Sequence, residues 1–223
     1  MASVSSSGPI RAVVFDFDGV ILESAEVKTD AFVELYAGHG PEVVARVRDH
    51  HLANLGISRF KKFAWIAEHV LGQPLSETAS AALGAQFSDL ALAKVLAAPF
   101  VPGAEDALAQ LDARGLPMYV ASGTPDGELR MIVERRGLAP RFREVHGAPR
   151  EKPDIINGVL AQLALAPSQV LFIGDGMTDY KAARAVGTAF LARDTPPLHD
   201  EWVQLGVRRE PDLTRLPELV EAW

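Results

Sequence analysis

The sequence predicts an α/β protein with a Rossmann-like parallel sheet core and an inserted α-helical cap domain. Two observations lead to this fold class. Short, continuously apolar segments recur along the chain, and helical-period segments of about ten to fifteen residues separate them. Near the N-terminus this alternation stops, because a long stretch has helical patterns but no convincing strand. The alternation is typical of a doubly wound sheet, and the interruption indicates an insertion.

Each predicted strand is a short apolar run that suits a strand buried on both faces of a parallel sheet. The first strand, 11–16, ends in acidic residues followed by a glycine. The other strands are predicted at 117–122, 142–146, 169–174 and 187–192, of which 142–146 has the weakest pattern. The helices between them are predicted at 104–114, 127–136, 153–165 and 178–186.

The helical stretch between the first two strong strands predicts the domain boundaries. A βαβ unit needs only about 30 residues, far fewer than those that separate Asp18 from Ser122. We therefore predict an α/β core made of 10–21 and 99–223, with a helical cap of 22–98 inserted between them. Prolines and a glycine at the end of the stretch mark the return to the core.

The composition narrows the possible function classes. The 223 residues are 48% hydrophobic and 23% charged, as in a soluble globular protein. Asp and Glu (29) outnumber Lys and Arg (22), and the resulting net charge of −7 disfavours a broad nucleic-acid-binding face. The absence of cysteine excludes disulfides, thiolate metal sites and cysteine nucleophiles.

The N-terminus and the hydropathy pattern predict where the protein acts. Residues 1–9 are Ser-rich and lack the basic and apolar regions of a secretory signal, so we predict a flexible tail there. No apolar run reaches the about 18 residues that indicate a membrane helix. We therefore expect a cytoplasmic protein without nucleic-acid or membrane partners, and the sequence leaves its oligomeric state open.

Polar side chains follow several predicted strands at the point where each strand ends. The carboxyl ends of parallel strands meet at one sheet edge, where ligands bind in open α/β sheets. Carboxylates at such an edge repel one another unless a cation lies between them, and a few hard oxygen ligands favour Mg²⁺ over zinc. A carboxylate nucleophile, Mg²⁺, a lysine and a hydroxyl suit phosphoryl transfer through an aspartyl-phosphate. The residues concerned are Asp16, Asp18, Ser122, Lys152, Asp175 and Asp179.

Four ordered motifs resemble those of the haloacid dehalogenase (HAD) superfamily. Phe15–Val20, with the letters FDFDGV, is similar to its first motif, and Ser122 within VASG is similar to its second. Lys152 within KPD is similar to the third motif, and Gly174–Asp179, with the letters GDGMTD, to the fourth. The insertion point resembles that of members with a helical cap, such as phosphoglycolate phosphatases and beta-phosphoglucomutase-like enzymes. The resemblance implies a HAD-like fold.

The resemblance also implies a catalytic role for three residues. Asp16 would be the nucleophile that attacks phosphorus. Asp18 would protonate the leaving oxygen and then activate the water that hydrolyses the phospho-aspartate. Lys152 would neutralise the charge of the phosphate and position Asp16.

Phosphate and metal ligands follow from the same resemblance. The hydroxyl of Ser122 and the backbone amide of Gly123 would hold the phosphate. The implied Mg²⁺ ligands are Asp16, Asp18 through its backbone carbonyl, Asp175, and Asp179 as a direct ligand or an outer-shell partner.

Asp18 decides the predicted reaction class. Family members that cleave carbon–halogen bonds lack an acid at this position, so we expect a phosphatase for a small phosphorylated metabolite rather than a dehalogenase. Beta-phosphoglucomutase-like phosphoryl transfer and a catalytically silent metabolite-binding module remain the alternatives. A phosphonate hydrolase would need a Schiff-base lysine in the cap. None of the available lysines, Lys28, Lys61, Lys62 and Lys94, lies in a convincing signature for it.

A cationic segment of the predicted cap offers candidate substrate contacts. It combines Arg59, Lys61 and Lys62 with two histidines and lies beside Gly56. We expect Arg59, with Lys61 or Lys62, to reach an anionic group on the substrate. The alternative interpretation is a basic helix face in contact with solvent.

Overall fold

A six-stranded parallel sheet forms the centre of the protein. The computed structural model describes residues 9–223, so 1–8 of the predicted tail lie outside the described residues. The strands are β1 (Ala12–Phe15), β2 (Met118–Pro125), β3 (Glu144–Ala148), β4 (Val170–Gly174), β5 (Ala189–Arg193) and β6 (Arg209–Glu210). Their order is β3-β2-β1-β4-β5-β6, and every neighbouring pair is parallel. The predicted α/β fold class is therefore confirmed.

Ten α-helices, counted over residues 9–223, connect and flank these strands. Between β1 and β2 the chain forms α1 (Ala25–Leu35), α2 (Pro41–Ala53), α3 (Arg59–His69), α4 (Glu77–Ala97) and α5 (Ala104–Ala113). The later helices are α6 (Asp126–Arg135), α7 (Lys152–Leu163), α8 (Met177–Val186), α9 (His199–Leu205) and α10 (Leu216–Glu221). None of these helices combines the length and apolar character needed to cross a membrane. The division into a core and a cap of 22–98 stays a prediction.

The sheet separates two hydrophobic cores, because successive residues of a strand point to opposite faces. In β1, Val13 and Phe15 belong to one core, whereas Ala12 and Val14 belong to the other. Helices α5, α6 and α10 contribute buried side chains to the first core, and α7, α8 and α9 to the second. Because both faces are covered, β1 lies buried at the centre of the sheet and carries the first motif to its edge.

Helices α1 to α4 pack together around an aromatic cluster. Phe32 of α1, Phe63 of α3 and Phe87 of α4 are each no more than 1% exposed. The ring centroid of Phe32 lies 5.6 Å from that of Phe63 and 4.8 Å from that of Phe87. At the start of α4, the Ser76 hydroxyl accepts a hydrogen bond from the Ala79 amide at 3.2 Å, which satisfies one free donor of the first turn.

The two chain segments that join these helices to the sheet run side by side. The Glu23 amide donates to the Pro99 carbonyl at 2.9 Å, and the Val101 amide donates to the Ile21 carbonyl at 3.0 Å. Both segments therefore leave the sheet at the same place. Helices α1 to α4 are thereby held over the carboxyl end of β1.

Candidate active site

The residues of all four motifs meet at the carboxyl edge of the sheet. Asp16 directly follows β1, Asp175 directly follows β4, and Ser122 lies in β2. Lys152 is the first residue of α7, and Asp179 lies in the first turn of α8. All five are buried, with exposures from 0% for Asp179 to 7% for Lys152. The sequence prediction that these side chains lie together agrees with this geometry.

Lys152 is the cation at the centre of this cluster. Its Nζ lies 2.9 Å from Asp16 Oδ2 and also donates a hydrogen bond to Asp179 Oδ1. Burial by itself lowers the pKa of Lys152, but the carboxylates of Asp16 and Asp179 raise it above the usual lysine value. Lys152 therefore stays protonated and holds Asp16 in a fixed orientation.

The acidic cluster fits a divalent cation. Asp16, Asp175 and Asp179 each offer a carboxylate oxygen, and these oxygens lie within 4.8 Å of one another. Burial, and then the neighbouring carboxylates, raise the pKa of Asp16 to about 7 despite Lys152, and raise the pKa of Asp175 well above 3.8. Asp16 and Asp175 thus resist ionising together on their own. A set of hard oxygen donors with uncompensated charge is suited to Mg²⁺.

Asp18 lies beside this cluster but has a different environment. Its Oδ1 accepts a hydrogen bond from Ser24 at 2.7 Å, and its Oδ2 accepts one from Thr124 at 2.9 Å and one from Lys28. Burial by itself raises the pKa of Asp18, but Lys28 and the two hydroxyls hold it below its ordinary value. The side chain of Asp18 is therefore ionised and occupied by donors, so any metal contact would come from its backbone carbonyl.

Sequence reasoning missed the role of Lys28. Lys28 also donates to the Thr124 hydroxyl at 2.5 Å, so it joins α1 to β2 as well as to the first motif. A signal was present in the spacing, because Ser24 and Lys28 are four residues apart at the start of a helix and therefore share one face. Thr124 carried no such local signal, since it approaches Asp18 from a distant part of the chain.

The predicted phosphate-binding residues contact the connection between α2 and α3. A Cβ atom on Gly123 would lie 2.5 Å from the carbonyl oxygen of Gly56, which shows how closely the two backbones approach. Gly56 itself has φ +83°, a conformation that glycine adopts without strain. The Thr178 hydroxyl donates to the Leu55 carbonyl and joins the same connection to α8. The connection therefore closes over the motif residues.

A cavity of about 50 Å³ remains between the sheet edge and these helices. The motif residues Asp16, Asp18, Ser122 and Asp175 line this cavity. Four basic side chains also line it, which are Lys28, His51, Arg59 and Lys62. The arrangement suits an anion that contacts both sets of residues.

The three predicted cap cations differ in position and partners. Arg59 lines the cavity and is 5% exposed, but its guanidinium lies 2.5 Å from Glu128 Oε1 of α6. Lys61 does not line this cavity, because its side chain is 58% exposed and pairs with Glu151 at 2.5 Å. Of the three, Lys62 is the one that is both buried in the cavity wall and without a carboxylate in contact among residues 9–223.

Lys62 and His51 form a buried pair. The Nζ of Lys62 lies 2.9 Å from His51 Nδ1, so the neutral ring accepts a hydrogen bond there. Burial and then the charge of Lys28 lower the pKa of Lys62 to about 7. Burial and then the charge of Lys62 lower the pKa of His51 to about 2, which keeps the imidazole neutral.

Comparison with known proteins identifies the family. A family model described as haloacid dehalogenase-like hydrolase matches residues 10–187. The chain belongs to this family. The resemblance of the four motifs is thereby confirmed.

Curated relatives of this hydrolase are named as phosphatases. The chain is 30% identical over 185 residues to a phosphoglycolate phosphatase of Rhodospirillum rubrum, covering 79% of this chain and 76% of the relative. It is also 30% identical over 199 residues to an N-acetylmuramic acid 6-phosphate phosphatase of Pseudomonas aeruginosa, covering 86% and 85% of the two chains. These relatives share the family and differ from each other in the substrate that their names give.

Solved structures share the fold of this HAD-like hydrolase. CbbY from Rhodobacter sphaeroides, in complex with phosphate, has a TM-score of 0.75 at 20% identity and covers 96% of this chain and 100% of its own. A putative beta-phosphoglucomutase from Bacteroides vulgatus has a TM-score of 0.77 at 20% identity and covers 96% and 90%. At this level of identity the likeness concerns the fold alone.

Proposed function

We propose that the protein is a Mg²⁺-dependent phosphatase that hydrolyses a small phosphorylated metabolite through a phospho-aspartate on Asp16. The observation that carries this proposal is the position of two acids in one cavity. Asp16 forms an ion pair with Lys152 and lies beside two further carboxylates. Asp18 lines the same cavity and accepts hydrogen bonds from three side-chain donors. Curated relatives named as phosphatases support the reaction class.

The reaction proceeds in two steps that use both acids. The carboxylate of Asp16 attacks phosphorus, the bond between phosphorus and the leaving oxygen breaks, and the leaving alcohol takes a proton from Asp18. Because Asp18 is ionised in the free protein, its carboxylate must take up this proton from solvent before the first step. Water then attacks the phosphorus of the aspartyl-phosphate, Asp18 takes a proton from this water, and inorganic phosphate leaves. The donors around Asp18 stabilise its ionised form, which is the form that the second step requires.

The remaining motif residues bind and orient the phosphate. The hydroxyl of Ser122 and the amide of Gly123 bind phosphate oxygens, and the position of both residues in the cavity lining at the sheet edge supports this role. The ammonium of Lys152 adds a fixed positive charge next to Asp16, and preorganised charge of this kind stabilises the charge that develops during phosphoryl transfer. Ser122, Gly123 and Lys152 therefore act as the anion-binding side of the site.

Asp16, Asp175, Asp179 and the backbone carbonyl of Asp18 would hold Mg²⁺. The ion would supply positive charge that lets these buried acids ionise together and that polarises the phosphate. The carboxylate cluster supports this assignment, because burial and then the neighbouring carboxylates raise the pKa values of Asp16 and Asp175, and Lys152 alone does not offset them.

Helices α1 to α4 act as a cap of 22–98 that encloses the site. The cavity beneath them, of about 50 Å³ with the cap in this position, is too small for a macromolecule and supports a small metabolite as substrate. Exclusion of bulk water also strengthens the electrostatic contacts inside the site. We also propose that the protein acts in the cytoplasm and binds neither nucleic acid nor membranes, as its sequence predicts.

Phosphate release tests the proposed function. We expect the purified protein to release phosphate from p-nitrophenyl phosphate and from a subset of phosphorylated metabolites when Mg²⁺ is present. Addition of EDTA, or the substitution Asp16→Asn, should abolish release, whereas Asp89→Asn on the exposed face of α4 should leave it unchanged. Absence of release from every ester in a broad panel would refute the proposal and favour a binding module.

Incubation with a hexose 1-phosphate separates hydrolysis from phosphoglucomutase-like transfer. A phosphatase yields free phosphate, whereas a mutase yields the hexose 6-phosphate. Formation of the 6-phosphate as the main product would contradict the proposed hydrolysis.

A further inference from the structure

Lys62 is a buried lysine whose protonated form has no neighbouring carboxylate to balance its charge among residues 9–223. It is 3% exposed, and no carboxylate among residues 9–223 forms an ion pair with it. Its bond to neutral His51 uses one of the three N–H donors of the ammonium. Buried charges in proteins are normally paired, because leaving one unpaired is unfavourable. The position of Lys62 in the cavity wall therefore suggests that its partner is a bound anion.

The other two cations of α3, Arg59 and Lys61, already form ion pairs with carboxylates of the protein. Arg59 is bound by Glu128 and by the hydroxyl of Ser88, which lies 2.8 Å from Nη1. Lys61 pairs with Glu151 outside the cavity. Both residues thus join the helices to other parts of the chain. Neither needs a substrate to balance its charge.

Lys28 supplies a second positive charge on the same side of the cavity. Its ammonium contacts Asp18 and Thr124, so it lies where the leaving group of a phosphate ester would meet Asp18. The charge of Lys28 also acts on Lys62 and lowers the pKa of that lysine. Lys28 uses two of its three N–H donors on Asp18 and Thr124, so one donor remains for an anion in the cavity that Lys62 also lines.

Both lysines line the cavity that the motif residues Asp16, Ser122 and Gly123 also line. The phosphate is expected at Ser122, Gly123 and Lys152, so a group next to Lys62 belongs to the alcohol part of the substrate. A volume of about 50 Å³ corresponds to only a few water molecules, since one water needs about 10–15 Å³ on the same scale. An alcohol part that lies in this cavity, next to Lys62, is therefore short.

We propose that Lys62 and Lys28 bind an acidic group on the leaving alcohol, so that the enzyme selects small phosphate esters that carry a second anion. This inference rests on the proposed phosphatase function. The second anion is a carboxylate or a second phosphoryl group, and both would accept charge-assisted hydrogen bonds from the two lysines. His51 acts as a positioning residue, because it holds the ammonium of Lys62 without competing for the anion.

Three matched esters test the proposal. Phosphoglycolate carries a carboxylate, ethylene glycol bisphosphate carries a second phosphoryl group, and ethyl phosphate carries neither. We expect kcat/KM for at least one acidic ester to exceed that for ethyl phosphate by about tenfold or more. We expect Lys62→Met to lower this value for the acidic ester by about tenfold to hundredfold, mainly through KM, and to change ethyl phosphate by less than about threefold. Lys62→Arg should restore part of the loss.

Lys94→Met is the matched control, because Lys94 is an exposed lysine near the end of α4. This substitution should leave kcat/KM for all three esters unchanged. An equal loss for acidic and neutral esters in Lys62→Met would mean that Lys62 only supports the fold, and would overturn the proposal. Equal kcat/KM for the three esters in the wild type would overturn it too, while leaving the phosphatase function intact.

A binding measurement separates this inference from the proposed function. Phosphonopropionate and propylphosphonate are inert analogues that differ in one carboxylate. Calorimetry in the presence of Mg²⁺ should show tighter binding of phosphonopropionate to the wild type and loss of that preference in Lys62→Met. Equal affinities for the two analogues would refute the subsite, even in a protein that hydrolyses none of the esters.

Discussion

Replacing Asp16 by Asn should stabilise the metal-free protein while it abolishes activity. The carboxyl of Asp16 is 2% exposed, and burial is the main reason that its pKa rises from 3.8 to about 7. When the folded state has the higher pKa, it binds the proton more tightly than the unfolded state. Stability is then greatest at a pH below the ordinary value and falls as the pH rises toward about 7. An Asn side chain carries no charge, so the stability of Asp16→Asn does not fall with rising pH for this reason.

The size of the effect follows from the two pKa values. The difference between the two pKa values lowers the free energy of unfolding of the wild type by about 4 kcal/mol at about pH 8, where the carboxyl is ionised in both the folded and the unfolded state. At about pH 5 the Asp16 carboxyl is protonated in the folded state, and this loss in the free energy of unfolding falls to about 2 kcal/mol. The Phe17 amide, which donates to Asp16 Oδ1 at 2.7 Å, can still donate to an Asn carbonyl. These figures are upper limits, because the Asn side chain loses the ion pair that Asp16 forms with Lys152.

Urea unfolding followed by circular dichroism, with EDTA present, measures this effect at both pH values. Thermal unfolding should show an increase of up to about 8–16 °C at the higher pH, since about 1 kcal/mol shifts a chain of this size by about 2–4 °C. Asp89→Asn serves as the control, because Asp89 is exposed on α4. An Asp16→Asn variant less stable than the wild type, or an advantage that grows toward acid pH, would refute the reasoning.

Two further predictions concern contacts between α1–α4 and the sheet domain. Gly123→Ala should lower kcat/KM by about tenfold or more, because its Cβ would lie 2.5 Å from the Gly56 carbonyl oxygen and would displace the closing connection. Gly127→Ala, where a Cβ meets nothing within 4 Å, should keep full activity, and equal activity of the two variants would contradict the prediction. Alanine substitutions of Arg59 and Glu128 in a double-mutant cycle should show a coupling of about 1–3 kcal/mol in urea unfolding. Additive effects would mean that this ion pair does not stabilise the closed arrangement.

The motif residues could be predicted because their positions depend on local sequence. Asp16 and Asp175 follow apolar runs that end at the same sheet edge, and parallel pairing of β1 with β4 brings them together. Strand bounds were predicted to within a few residues for the same reason. β6 was not predicted, because two residues, Arg209–Glu210, are too short to form an apolar pattern.

The partners of the cap residues could not be predicted, because they depend on contacts between distant parts of the chain. Arg59 was expected to bind substrate, yet its guanidinium contacts Glu128, which lies on a helix beyond β2. Its role as a substrate contact stays a prediction. Thr124 reaches Asp18 from β2, a distant part of the chain, and no local spacing indicates that contact. Whether a charged side chain such as that of Arg59 has a carboxylate partner depends on how the helices pack, and that packing follows only from the folded structure.

The central claim is that phosphate passes through Asp16, and trapping of the intermediate tests it most directly. Wild-type protein and Asp16→Asn are mixed with Mg²⁺ and the best substrate, quenched in acid within one turnover, and reduced with borohydride. This reaction converts an acyl phosphate to an alcohol, so peptide mass spectrometry should find homoserine at position 16 in the wild type. The modification should be absent from Asp16→Asn and from protein without substrate. Modification of another carboxylate, or rapid hydrolysis with no modified residue, would contradict the account.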